Sequence, residues 1–231
     1  MITKDHTLVL FDIDGTLTIY NDDFPHRMFE ELAEHFFAKK ISLEDYRFSG
    51  KTDKNIIAEV IERAGVPEET FLEQEAAIVE WVPARLERHI SHQTFSLLPK
   101  VNHLVEELSK RDNTTLALLT GNLPRCAELK LAQFALYHYF EFGAYGIESR
   151  DRNDLGPIAI EKFNSMKGFH PSNIVIIGDA IADVLVAKHI GAKAVMTLTG
   201  RTTREELLPH EPEYIFDDLS ETDSIIAAIY N

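Results

Sequence analysis

Only one cysteine, Cys126, occurs in the 231 residues, so no intrachain disulfide can staple the chain and a reducing compartment suits it. Apolar runs approaching the roughly 20 residues of a membrane-spanning helix are missing. The first residues lack a signal-peptide pattern, and the expectation is a cytoplasmic protein. Positive charge is scarce: 23 Lys and Arg face 38 Asp and Glu, a formal net charge of −15. That balance argues against the basic surfaces used on nucleic acids and anionic membranes, but says nothing about a small substrate, because a metal or two basic residues can reverse the field inside a cleft. The ten histidines show no His-Glu-x-x-His and no paired metal spacing, so each reads as surface or structural. Internal repeats and low-complexity stretches are also absent.

What is present is an ordinary globular composition, 45% hydrophobic and 26% charged, in a chain long enough for one sizeable core and a smaller second unit. Apolar runs bounded by Gly, Asn or Asp predict strands at Leu8 to Asp12, Leu116 to Thr120, Ile174 to Ile177, Ala194 to Leu198 and Tyr214 to Phe216, with Phe140 to Tyr145 a weaker case. Helical patterns lie between the later ones, at Val101 to Lys110, Pro124 to Leu136, Gly156 to Met166, Ile181 to Ile190 and Thr203 to Leu208. Alternating strands and helices imply an α/β fold with a doubly wound parallel sheet.

The rhythm breaks once. Residues 17 to 114 separate the first two strands, although a crossover needs only a dozen or so residues. The expected division is therefore an α/β core of residues 1–16 and 99–231 and an inserted α-helical cap of residues 17–98. Its periodic segments, Asp23 to Lys40, Thr52 to Ala64 and Pro67 to Ser91, all read as helices. The stripe Ile56, Ile57, Val60, Ile61 and Ala64, with Phe36, Phe37 and Trp81, reads as the cap's own core. An insertion leaving just after Asp14 emerges above the carboxyl ends of the strands, where it can act as a lid.

Those carboxyl ends carry the polar residues. Leu8-Val9-Leu10-Phe11 is what a strand covered on both faces looks like, and it runs into Asp12-Ile13-Asp14-Gly15-Thr16. On an extended strand Asp12 and Asp14 share a face about 7 Å apart, so one metal could bridge them; Asp14-Gly15 alone would equally suit a turn or helix cap. Leu116 to Leu119 runs into Thr120-Gly121-Asn122, a strand-to-helix junction suited to an anion. Ile174 to Ile177 runs into Gly178-Asp179, with Asp183 four residues on, adding carboxylates to the same edge. Cys126, in a helical first turn, reads as a buried inert thiol.

Phe11-Asp12-Ile13-Asp14-Gly15-Thr16, Leu119-Thr120-Gly121-Asn122 and Ile177-Gly178-Asp179-x-x-x-Asp183 resemble, in order and placement, the signature motifs of the haloacid dehalogenase-like hydrolases. The resemblance covers the whole chain, including a helical cap inserted after the first motif, as in the phosphoglycolate-phosphatase-like and β-phosphoglucomutase-like branches. It implies a Rossmann-like core, Mg²⁺ as cofactor and a small phosphorylated metabolite as substrate, with no nucleic acid or membrane partner. A monomer is the default expectation, with a dimer also compatible.

By that resemblance Asp12 is the nucleophile and Asp14 the acid/base, with Thr120 and a basic residue completing the catalytic set. Asp12, the Asp14 backbone carbonyl, Asp179 and Asp183 would serve the metal, and Gly15, Thr16, Gly121 and Asn122 would line the substrate. The family's Lys-Pro pattern is absent from residues 148 to 157. Arg152, just before the helical pattern near Gly156, is the first choice for the basic residue, with Arg150 and Lys162 as alternatives. In the cap, Lys51 of Ser49-Gly50-Lys51-Thr52 either meets a polar group of the substrate or merely belongs to a loop that Gly50 ends and Thr52 caps.

The leading expectation is a Mg²⁺-dependent phosphatase acting on a small phosphate monoester through an aspartyl-phosphate. A phosphomutase is the nearer rival, and a catalytically silent phosphate-binding module the other. A dehalogenase proper, which attacks carbon and generally lacks the second Asp, does not match.

Overall fold

The structure, a computed structural model, describes residues 2–91 and 93–231. Eight strands and nine α-helices follow the chain among these residues: β1 (Thr3–Phe11), β2 (Thr18–Tyr20), α1 (Phe24–Phe37), α2 (Asp53–Arg63), α3 (Glu68–Glu87), β3 (Phe95–Leu97), α4 (Val101–Ser109), β4 (Thr114–Thr120), α5 (Pro124–Ala132), β5 (Gly143–Tyr145), α6 (Leu155–Lys167), β6 (His170–Gly178), α7 (Ile181–Ile190), β7 (Lys193–Thr197), α8 (Arg204–Leu207), β8 (Tyr214–Phe216) and α9 (Thr222–Tyr230).

Six strands form one sheet in the order β5-β4-β1-β6-β7-β8, and each neighbouring pair runs parallel. The apolar run of β1 explains its central place, because successive side chains point to opposite faces and both need cover. Val9 and Phe11 join one cluster with α4, α5 and α9. Leu8 and Leu10 join another with α6, α7 and α8. The sheet is thus doubly wound, as the alternation of strands and helices predicts.

Between β1 and α4 lie α1, α2 and α3, which bury Phe29, Leu32, Ile57, Val60, Ile78 and Val82 in a cluster of their own. Leu123 and Cys126 of the α5 region close that cluster from below. Three differences from the sequence pattern stand out. The inserted segment is not wholly helical: β2 and β3 pair antiparallel, Thr18 with Leu97 and Tyr20 with Phe95, so the chain leaves and re-enters through adjacent strands. Helix α5 stops at Ala132 rather than Leu136, and Ala135 turns left-handed at φ 53°. Helix α9, which packs Ile225 and Ile229 onto the sheet, lies beyond the last element read from the sequence.

Candidate active site

Three parallel strand ends converge on one cavity of about 260 Å³, which the inserted segment covers. Strand β1 delivers Asp12, only 6% exposed, whose amide donates to the Ile177 carbonyl at 3.0 Å. The chain then turns sharply: the Leu17 and Thr18 amides both donate to the Ile13 carbonyl at 2.9 Å, and Gly15 sits at φ +86°. A side chain at Gly15 would press into the Asp179 carboxylate, so this turn has to be glycine. Asp12 and Asp14 therefore do not share an extended strand face. The strand ends at Phe11, and the turn sends the two carboxylates to different partners.

Asp12 faces the end of β6. Asp179 is 3% exposed and accepts from the Thr16 hydroxyl at 3.0 Å. Asp183, fully buried at the start of α7, accepts from the Asp179 and Ala180 amides at 3.2 and 3.0 Å. Oxygens of Asp12, Asp179 and Asp183 lie within 4.8 Å of one another. One cation stands among them: Arg152, 6% exposed, places Nη2 2.6 Å from Asp183 and 3.2 Å from Asp12. Its Nε is buried with no protein partner.

One arginine does not neutralise three buried carboxylates. Burial, then the charges of Asp183 and Asp14, push the Asp12 carboxyl up to about 6 despite Arg152. Burial together with Asp12 and Asp183 holds Asp179 well above the usual carboxylate range. Burial alone would lower the Arg152 pKa, but Asp12 and Asp183 hold it above its ordinary value. A set of hard oxygen donors carrying excess negative charge fits a divalent cation such as Mg²⁺.

Of the three basic candidates, the structure brings only Arg152 to the carboxylates. Arg150 is exposed and reaches Glu68 at 3.8 Å, while Lys162 donates to the Gly143 carbonyl and Glu148.

Asp14 belongs to a second cluster. Asn122, at the end of the β4 motif, donates from Nδ2 to Asp14 and to the Thr120 hydroxyl, both at 2.8 Å. The third member, Lys130, is absent from the sequence-based candidates. Only 3% exposed, its ammonium reaches the two Asp14 oxygens at 2.7 and 2.5 Å and Asn122 Oδ1 at 2.6 Å. Burial opposes the ammonium's charge, but Asp14, Tyr20 and Asp53 outweigh it and keep the group protonated. A signal was available: Lys130 continues the buried stripe Cys126, Ala127 and Leu131 of α5, where a lysine needs a partner.

From the inserted segment, Lys51 lines the cavity, but its ammonium lies 2.5 Å from Glu59 and 3.2 Å from the Tyr46 hydroxyl. Thr52 caps α2 by accepting from the Asn55 amide at 3.2 Å, and its hydroxyl donates to the Arg150 carbonyl at 3.0 Å. The Asp53 amide donates to the Gly121 carbonyl at 2.7 Å, and Asp53 Oδ2 accepts from the Leu123 amide at 2.7 Å. Gly121 is needed here, because a Cβ would run into the Lys51 carbonyl. Cys126 is buried, and burial pushes its thiol up, consistent with an inert group.

Comparison with known proteins adds two kinds of similarity. A family model described as haloacid dehalogenase-like hydrolase matches residues 6–191. Phosphoglycolate phosphatase 1 of Pseudomonas aeruginosa is 27% identical over 222 residues, covering 94% of this chain and 78% of that protein. Among solved structures, a hydrolase from Pseudomonas syringae superposes with a TM-score of 0.69 at 20% identity, over 98% of this chain and 100% of its own. A predicted phosphoglycolate phosphatase from Haemophilus somnus superposes at 0.68 with 20% identity, over 95% and 97% of the two chains. At these identities the structural likeness speaks to the fold.

Proposed function

This chain belongs to the haloacid dehalogenase-like hydrolases, and from that premise we propose that it is a phosphatase hydrolysing a small phosphate monoester through a phosphoryl group held on Asp12. The observation that carries the reading is the separation of the carboxylates: Asp12, Asp179 and Asp183 crowd round Arg152, whereas Asp14 is held apart by Lys130 and Asn122. One site thus offers a nucleophile and, beside it, an independently held acid.

Asp12, Asp179 and Asp183, with the Asp14 backbone carbonyl, would hold Mg²⁺. When bound, the ion supplies positive charge against the carboxylates and the phosphoryl oxygens. An oxygen of Asp12 attacks phosphorus, forming the aspartyl–phosphate bond as the ester P–O bond breaks. Asp14 gives its proton to the departing oxygen, then as a carboxylate takes one from the water that attacks the aspartyl-phosphate. Inorganic phosphate leaves, and Asp12 is restored. Arg152 and the Thr120 hydroxyl, which both line the cavity, offer donors to the phosphoryl oxygens. The inserted segment of residues 17–98 serves as the cap that excludes water and meets the leaving group.

The cap side of the cavity is lined by Tyr20, Met28, Phe29, Phe48, Val82 and Leu86 beside the polar Asp22, His26 and Ser49, and Lys51 is already paired with Glu59. The apolar share of that wall suits a leaving group with a partly apolar body.

The test is phosphate release from an aryl phosphate with Mg²⁺ and with EDTA, in wild type and Asp12→Asn. Turnover should need the metal and fall by about 10³-fold or more in the variant, with a fluoroberyllate adduct forming on Asp12 alone. A folded wild type without metal-dependent release would overturn the assignment, as would conversion of a hexose 1-phosphate to the 6-phosphate with little free phosphate.

A further inference from the structure

Among the described residues, Lys130 is the most deeply buried cation that the proposed chemistry leaves without a part in catalysis. Its surroundings are unusually complete. Both Asp14 oxygens and Asn122 Oδ1 take its three N–H donors, at 2.7, 2.5 and 2.6 Å. With the Asn122 Nδ2 donor at 2.8 Å, three N–H groups fix the Asp14 carboxyl. The remaining side of the ammonium is covered by aromatic rings, with the Tyr20 centroid at 4.8 Å and that of Phe95 at 5.9 Å. Tyr20 and Phe95 are register partners in the β2–β3 ribbon, with centroids 4.9 Å apart. They mark the place where the chain leaves for the inserted segment and returns from it. One lysine on α5 therefore touches the acid, the β4 motif and both strands of the ribbon.

We propose that Lys130 is a positioning residue: it holds the Asp14 carboxyl in line for proton transfer and ties that placement to the ribbon carrying the cap. The inference rests on Asp14 being the acid of a phosphoryl transfer. Lys130 touches neither the Asp12 cluster nor, by this reading, the substrate. Its contribution passes through Asp14, while Tyr20 and Phe95 keep the ammonium dry and centred by cation–π attraction. A purely structural buried pair would have a different signature, because its loss would depress every substrate alike.

Leaving groups separate the two. p-Nitrophenolate departs with little help from an acid, whereas the alkoxide of 2-phenylethyl phosphate must be protonated as it leaves. In the Mg²⁺-loaded enzyme, Lys130→Met should lower kcat/KM, which ends at phosphoryl transfer to Asp12 and departure of the alcohol, by about 100-fold for 2-phenylethyl phosphate while p-nitrophenyl phosphate loses less than about fivefold, the range that general acid catalysis spans. Asp14→Asn should lose kcat/KM for the alkyl ester more than for the aryl ester, while kcat falls for both because Asp14 also serves the water step, and adding Lys130→Met to Asp14→Asn should cost the alkyl ester nothing more. Phe95→Leu, which keeps an apolar side chain without the ring, should reproduce the selectivity in smaller measure.

Should Lys130→Met not fold, Lys130→Arg retains the charge and reads the same ratio, with the displaced donors expected to slow the alkyl ester selectively. Equal losses of kcat/KM for both esters in a folded Lys130 variant, or a further loss in the double variant, would overturn the positioning role. Phe95→Leu without selectivity would remove the ribbon from it. If the wild type releases phosphate from neither ester, the phosphatase reading itself falls, and this role with it.

Discussion

At the scale of single residues, the site is built on two compensations, one per acidic cluster. Arg152 partly offsets Asp12 and Asp183, and Lys130 offsets Asp14. Removing a buried partner leaves an uncompensated charge, a loss of about 3–5 kcal/mol. Arg152→Met should accordingly lower the urea midpoint of metal-free protein by a loss of that size, and millimolar Mg²⁺ should recover part of it. If the midpoint is unmoved, the arginine is not the balancing charge. The two cations also show what a sequence can reveal. Asp12, Asp179 and Asp183 were legible because each follows an apolar strand at a fixed offset. Arg152 could be nominated but not separated from Arg150 and Lys162, since a short turn before α6 decides which side chain swings inward. Lys130 carries no motif. Only its place on the buried stripe of α5 betrays it, and that stripe acquires meaning when Asp14 is seen opposite.

At the scale of elements, the N-terminus of α2 is pinned to two core loops rather than hanging free. The Asp53 amide reaches Gly121 at 2.7 Å, the Lys54 amide reaches Gly146 at 3.3 Å, and the Lys51 carbonyl occupies the space where a Gly121 Cβ would lie. Gly121→Ala should therefore push the Lys51–Asp53 stretch outward. The expected result is faster hydrogen exchange at the Asp53 and Lys54 amides and a severalfold rise in KM, at a stability loss of about 1–2 kcal/mol. Unchanged exchange would mean that the core loop, not the cap, gives way. The long elements of the inserted segment were readable from their 3.6-residue period. The ribbon was not, because strands of three residues, Thr18–Tyr20 and Phe95–Leu97, are too short to display a period.

At the scale of the whole molecule, acidic excess and burial set the response to pH. Asp53, packed at the cap–core junction, is raised from 3.8 to about 6 by burial, with the charge of Asp14 adding and Lys130 and the Leu123 amide opposing. A carboxyl raised in the folded state binds its proton more tightly there than in the unfolded chain. Its contribution is complete below about 3.8 and is lost as pH rises through about 6. Asp22, Glu31 and Glu59 are shifted the other way, lowered chiefly by their hydrogen-bonding and charged partners against the pull of burial, so their contributions fade in acid. Urea midpoints should thus peak near pH 5 and decline towards pH 8, and Asp53→Asn, which keeps an acceptor for the Leu123 amide, should flatten that alkaline decline. A midpoint rising steadily from pH 5 to 8 in wild type would contradict this balance. The β2–β3 ribbon has one last consequence. Because Tyr20 and Phe95 are paired, residues 21 to 94 form in topological terms the loop of a long hairpin, closed at its neck. Such a loop is a replaceable module: a short turn joining Tyr20 to Phe95 would leave every parallel strand contact of the sheet in place, and a different lid could be spliced through the same two strands.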